Sequence, residues 1–137
     1  MGIIYRTHLE GIVPESLDGF FAGWPNPPSP ETHLAALRGS SHVVLAIDQA
    51  SGRVVGFINA ISDGVLSAFI PLLEVRPEWQ GRGIGRELVR RMLAELEGRY
   101  SVDLVCDPEL AEFYEPLGFG RLQGMGRRDT RALGKSG

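Results

Sequence analysis

The stretch LLEVRPEWQGRGIGREL, residues 72–88, decides the reading of this chain. It opens as the end of an apolar run and is broken by Pro77. Gly81, Gly83 and Gly85 follow at alternate positions. A helical pattern then begins at once: Ile84, Leu88, Met92 and Leu96 recur at every fourth position, with Val89 and Leu93 beside them. The first N–H groups of a helix have no partner inside it, and they sit at the positive end of its dipole. Glycines let a backbone close on an anion, and Arg82 and Arg86 add charge at the rim. A strand, a bare loop and a helix start therefore point to a phosphate site. The alternative is a flexible turn ahead of a solvated basic helix face.

Two nucleotide motifs fail on detail. A Walker A loop needs a Gly-Lys-Ser/Thr ending, which the chain lacks. A dinucleotide fingerprint needs GxGxxG directly after its strand. Here the spacing is GxGxG, and residues 77–80 intervene. Asp103 and Asp107 lie roughly where a ribose-binding acid would be sought, so a dinucleotide-binding protein stays as a poorer rival.

A third pattern fits. Gln80-Gly81-Arg82-Gly83-Ile84-Gly85 matches Gln/Arg-x-x-Gly-x-Gly/Ala. Roughly thirty residues on stands Phe113-Tyr114-Glu115-Pro116-Leu117-Gly118-Phe119, and Leu73-Glu74-Val75-Arg76-Pro77 precedes the loop. Together these resemble the GNAT family of acetyl-CoA-dependent N-acetyltransferases, over about residues 65–120. The resemblance implies an α+β fold with a mostly antiparallel twisted sheet, splayed at a bulged strand 65–75 and flanked by about four helices. It implies that acetyl-CoA is the acetyl donor, with its pyrophosphate held by backbone N–H groups of residues 81–86, Gln80 included in the loop. It implies a pantetheine arm lying along the splayed strand, bonded by the backbone of Leu73 and Val75.

The implied reaction is direct attack of a primary amine on the thioester in a ternary complex. The N–H of Leu73 is then placed to stabilise the developing oxyanion. Tyr114 stands at the family's general acid, where a phenol protonates the leaving thiolate; Phe113 is read as the core aromatic beside it. Glu74 and Asp63 are the two candidate bases, each with a solvated or ion-paired carboxylate as its alternative reading. If Leu73 and Val75 face one side of the strand, Glu74 faces the other. Asp107 stands where the family often has an Asn that contacts pantetheine. An Asp caps a helix as well but cannot donate as an amide does, so that contact is open. A silent acyl-CoA-binding sensor on the same fold is the rival reading of function.

The acceptor is less legible. Phe20 and Phe21 suit a core, and Trp24, on the loop GWPNPPSP, is the better candidate lid or pocket wall, with Asp18, Asp63 or Glu74 attracting a cationic amine. A small-molecule amine is favoured over a protein, and homodimer formation is left open. His33 and His42 read as ordinary surface or helix-packing residues. No His, Cys or acidic residues show metal-ligand spacing, so no metal is expected.

Around this centre, residues 3–6 read as an edge strand, residues 14–21 as a helix with Leu17, Phe20 and Phe21 on one side, and Ser29-Pro30 as a capped helix start. Residues 43–47 and 54–61 form a hairpin, 65–75 a strand distorted near Pro71. Residues 102–106 form a buried strand, Asp107-Pro108 starts a short helix, and 119–122 with 125–129 make a last hairpin. At 137 residues, 43% hydrophobic and 23% charged, the chain reads as one globular domain over 1–129 with a frayed tail at 130–137. The net charge of -3 argues against nucleic acid as a partner. The single cysteine, Cys106, allows no internal disulfide and is read as a small buried residue. No long apolar core suggests a signal peptide or membrane span, so a cytoplasmic protein is expected.

Overall fold

The computed structural model describes residues 2–134. Its sheet runs in spatial order β1 (Ile3–Arg6), β2 (His42–Asp48), β3 (Val54–Ser62), β4 (Ser67–Val75) and β5 (Ser101–Asp103). The first three junctions are antiparallel and the last is parallel. A parallel pair needs a long crossover, and α2 (Ile84–Glu95) supplies it. The other α-helices are α1 (Pro30–Arg38) and the single turn α3 (Ala111–Tyr114), so three α-helices stand among the described residues where about four were expected.

Both faces of the sheet are covered, which is why β2 reads as a continuous apolar run. Val44 and Ala46 face Leu88, Val89 and Met92 of α2. Val43, Leu45 and Ile47 face Leu17, Phe20, Phe21, Leu34 and Leu37. Ser29 caps α1 through Thr32 N–H at 3.1 Å, as its sequence predicts.

The distortion expected near Pro71 is a β-bulge. Asn59 pairs with Leu72 but Ile61 pairs with Phe69, so two residues of β4, Ile70 and Pro71, oppose the single Ala60 of β3. The extra residue falls at Ile70–Pro71, where proline has no N–H to give the ladder. Beyond it β5 parts from β4: their pairing ends at Phe69 and Asp103. The strand expected over 102–106 is therefore only three residues long.

The segment before α1 corrects the sequence reading. Instead of a helix over 14–21 there is one 3-10 turn, Pro14–Leu17. Leu17, Phe20 and Phe21 are all buried as the pattern demanded, but on an irregular chain. The cause is Arg76, itself only 3% exposed. Its Nε donates to Val54 O at 2.7 Å, and its Nη1 and Nη2 donate to the carbonyls of Asp18 and Ser16. A helix would have bonded those carbonyls internally; here the guanidinium takes them, and it lies 4.3 Å over the Phe20 ring.

The expected hairpin over 119–129 is absent, and no strand forms there. Phe119 packs on the core, but Leu122 and Met125 are 79% and 96% exposed, so nothing is gained by alternating faces along the rest of the segment. Residues Thr130–Gly134 form a 3-10 turn rather than a frayed end; the rest of the predicted tail, 135–137, lies outside the described residues.

His33 packs among Phe20, Phe21 and Phe57, with ring centroids 5.5, 4.8 and 4.3 Å away. Burial, helped by the Arg76 guanidinium, lowers its pKa from 6.5 to about 4. The unfolded chain therefore binds a proton below pH 6.5 that the folded chain refuses until about pH 4. Stability is full above that window and falls as pH drops through it, by on the order of 3 kcal/mol. Urea melts across the window should show this loss, and His33→Phe should flatten it.

Candidate active site

The site lies where β4 and β5 separate. Arg76 N–H donates to Val55 O at 2.8 Å. Antiparallel ladders alternate, so Glu74 and Leu72 also bond β3, while the N–H and C=O of Leu73 and Val75 turn to the opposite edge. No strand pairs with that edge beyond Phe69 among the described residues. Gln80 reaches back to it, its Nε2 donating to Val75 O at 3.0 Å.

The edge leads to the glycine loop. Gly81 and Gly83 have φ of 80° and 83°, and a Cβ on either would point into open space. Gly83 is the N-cap of α2 and offers no side-chain cap, which leaves the first N–H groups of the helix facing outward. The Ile84 side chain is buried in the core and pins this turn, so only its backbone faces the loop. Arg82 lies 4.6 Å over Trp79 and donates to Glu78 O, at the rim. Arg86 is exposed on the first turn of α2. Backbone donors, a positive helix end and room for an anion thus coincide, a fit for a pyrophosphate.

Gly85 is different. It has ordinary helical geometry, and a Cβ there would meet Phe113 at 3.6 Å and Val75 at 3.7 Å. The start of α2, the end of β4 and α3 converge at this point. Tyr114, against Phe113 at 4.9 Å and Phe119 at 5.6 Å, packs on the same core face as Leu73 and Val75. Burial raises its phenol above the ordinary 10, with the nearby Cys106 thiol adding to the effect. Tyr114 is thus protonated at neutral pH. Phe113, expected as the core aromatic, is 36% exposed, and Tyr114 has taken the inner place.

Glu74 projects from the opposite face of β4, as the alternation predicts. Its Oε1 accepts the Phe21 N–H at 2.6 Å. Burial raises its pKa, against the pull of that N–H and of Arg76. Asp63 sits at the far end of β4 and is occupied: its Oδ1 accepts from Val65, Leu66 and Ser67, and these bonds hold its pKa to about 2. Asp107 is exposed at the start of a 3-10 turn and makes no side-chain cap, contrary to the cap read from Asp107-Pro108. Trp24 is 39% exposed and stacks on Phe21 at 4.9 Å, on the Glu74 side. Sequence reasoning missed Arg76 and the Phe21 N–H. The usable signal was an arginine two positions from Glu74, hence on the same face of the strand.

The model of the acetyltransferase (GNAT) family matches residues 9–119. Serotonin N-acetyltransferase 2, chloroplastic, of Oryza sativa subsp. japonica is 34% identical over 86% of this chain and 62% of its own length. The chain spans about three fifths of the length of the first curated relatives it matches. Among solved structures, a candidate acetyltransferase from Deinococcus radiodurans R1 shares 47% identity with a TM-score of 0.94, over 98% of this chain and 94% of that one. The aminoglycoside N-acetyltransferase AAC(6')-Iy, solved with CoA, shares the fold at 18% identity and a TM-score of 0.65, over 93% and 95% of the two chains.

Gly83→Ala forces a side chain into left-handed backbone, at a cost of about 1–2 kcal/mol, and sets a methyl in the cradle. Thermal melts and calorimetry with CoA should show lower stability and weaker binding. Gly85→Ala, in ordinary contact and in a helix, should hold or gain up to about 1 kcal/mol.

Proposed function

Because this chain belongs to the GNAT family of acetyltransferases, we propose that it moves an acetyl group from acetyl-CoA to a primary amine by direct attack in a ternary complex. The observation that carries this reading is the open edge of β4 at Leu73 and Val75, continuous with the glycine loop and flanked by Tyr114 on one face and Glu74 on the other. Bound acetyl-CoA supplies the activated acetyl group as a thioester.

The loop N–H groups of residues 81–86 hold its pyrophosphate, and the backbone of Leu73 and Val75 bonds the pantetheine arm. Glu74, on the N-terminal face, takes a proton from the incoming ammonium, directly or through water. A raised carboxyl pKa makes it a better base than Asp63. The Leu73 N–H, aimed at the open edge, stabilises the charge that develops on the carbonyl oxygen. Tyr114, on the other face, gives its proton to the departing thiolate. A thiol pKa near ~8.5 lies below that of the phenol, so the transfer depends on contact in the transition state. Acid and base thus act from opposite faces of one splayed strand. Asp107 contributes no amide donor here, and its carboxylate is not required by this scheme.

Calorimetry with acetyl-CoA, followed by CoA-release assays on a panel of amines, tests the reading. Tyr114→Phe should lower kcat by roughly 10²–10⁴ and leave acetyl-CoA affinity unchanged. In the wild type, kcat/KM should rise with pH as Glu74 loses its proton, and Glu74→Gln should lose that limb. Absence of acetyl-CoA binding at millimolar ligand overturns the proposal. Binding with no CoA release from any amine favours an acyl-CoA sensor instead.

A further inference from the structure

A cleft of about 290 Å³ opens on the N-terminal face of the sheet, between the segment carrying Phe20 and Phe21 and the start of α1. Leu17, Phe20, Phe21, Pro27 and His33 form much of its wall, and Asp18 is the one charged residue lining it. Phe21 belongs to the cleft and to the reaction site together, since it lines the one and its N–H holds Glu74 in the other. Phe57, opposite Glu74 in the β3–β4 ladder, lies 4.3 Å from the His33 ring.

His33 is unusual for a core residue. It is 2% exposed, and neither ring nitrogen has a hydrogen-bond partner. Buried polar side chains are nearly always bonded. The imidazole is neutral at physiological pH, so it offers one donor and one acceptor. The chain over it is strained: Phe21 (φ 68°) and Asn26 (φ 55°) are the non-glycine residues with positive φ among those described. A bulky residue rarely takes that conformation, and such strain gathers at ligand clamps and switch regions.

We propose that this cleft holds the body of the acceptor, and that the acceptor is a compact aromatic amine bearing one hydroxyl or ring N–H, which bonds His33 as the Phe21 ring moves aside. This rests on the reading of the chain as an amine acetyltransferase with Glu74 at the reacting nitrogen. The volume sits at the small end of ligand pockets, which run to roughly 300–1,000 Å³; one or two rings fill it, and an oligosaccharide or peptide does not. Aromatic and proline walls suit a flat ring. A phosphate or carboxylate on the acceptor would meet no free cation here, because Arg76 is spent on backbone carbonyls. An ammonium finds Asp18 on the cleft wall, and Glu74, which accepts the Phe21 N–H, lies behind that wall.

Tyramine, phenethylamine and spermidine are suitable probes, titrated into the CoA-loaded protein by calorimetry while the His33 ring signal is followed by NMR. Tyramine should bind about tenfold more tightly than phenethylamine, since a site built for a hydroxyl penalises its loss. Spermidine should bind most weakly, and tyramine should shift the His33 signal. His33→Phe should bind both aromatic amines alike. An unmoved His33 signal in the wild type, or no preference for tyramine, overturns the assignment whatever the variant does. CoA binding measured in the same experiment separates the two levels. If CoA binds and tyramine leaves His33 unmoved, the cleft assignment alone fails; if CoA does not bind, the acetyltransferase reading fails with it.

Discussion

The guanidinium of Arg76 organises the half of the molecule that carries Phe20, Phe21 and His33. A buried cation is expensive unless its donors are used. Here three nitrogens bond backbone carbonyls of β3 and of the segment before α1, and the plane lies on Phe20. That set of bonds fixes an irregular chain against a regular sheet. Once fixed, the segment delivers the Phe21 N–H to Glu74 and closes Phe20 and Phe21 over His33. The burial of the proposed base and the shape of the cleft both follow from one arginine whose donors are spent on backbone carbonyls.

The second constraint is the bulge in β4. One extra residue at Ile70–Pro71 bends the strand, and β5 keeps contact for only three residues. A fully paired sheet would have spent the N–H and C=O of Leu73 and Val75 on a neighbour. The splay leaves them at an open edge, directly ahead of the left-handed glycines that start α2. Because a strand sends alternate side chains to opposite faces, the same residues that present the open edge also separate Glu74 from Tyr114. The placing of the proposed acid and the proposed base on two faces is thus a property of strand geometry.

Much of this was legible in the chain. The four-residue spacing of Ile84, Leu88, Met92 and Leu96 is a helix, and the bare loop before it leaves that helix without a side-chain cap, because both readings depend only on local geometry. The proline in an apolar run marked the bulge for the same reason. Local rules misled where long-range partners intervened. The apolar residues 17, 20 and 21 have helical spacing, yet Arg76 takes the carbonyls a helix needs. Residues 119–129 alternate like a hairpin, yet beyond Phe119 the side chains of Leu122 and Met125 find no surface to cover.

What the sequence by itself determined is the family and the glycine loop, since these are written in contiguous motifs. How the two candidate carboxylates differ was decided only by tertiary structure. Asp63 and Glu74 are both ordinary carboxylates on paper. Three backbone N–H groups draw Asp63 into a turn and hold its proton affinity low. Burial under Phe21 raises that of Glu74. Desolvation and hydrogen bonding set a proton's free energy, and both come from neighbours distant in the chain.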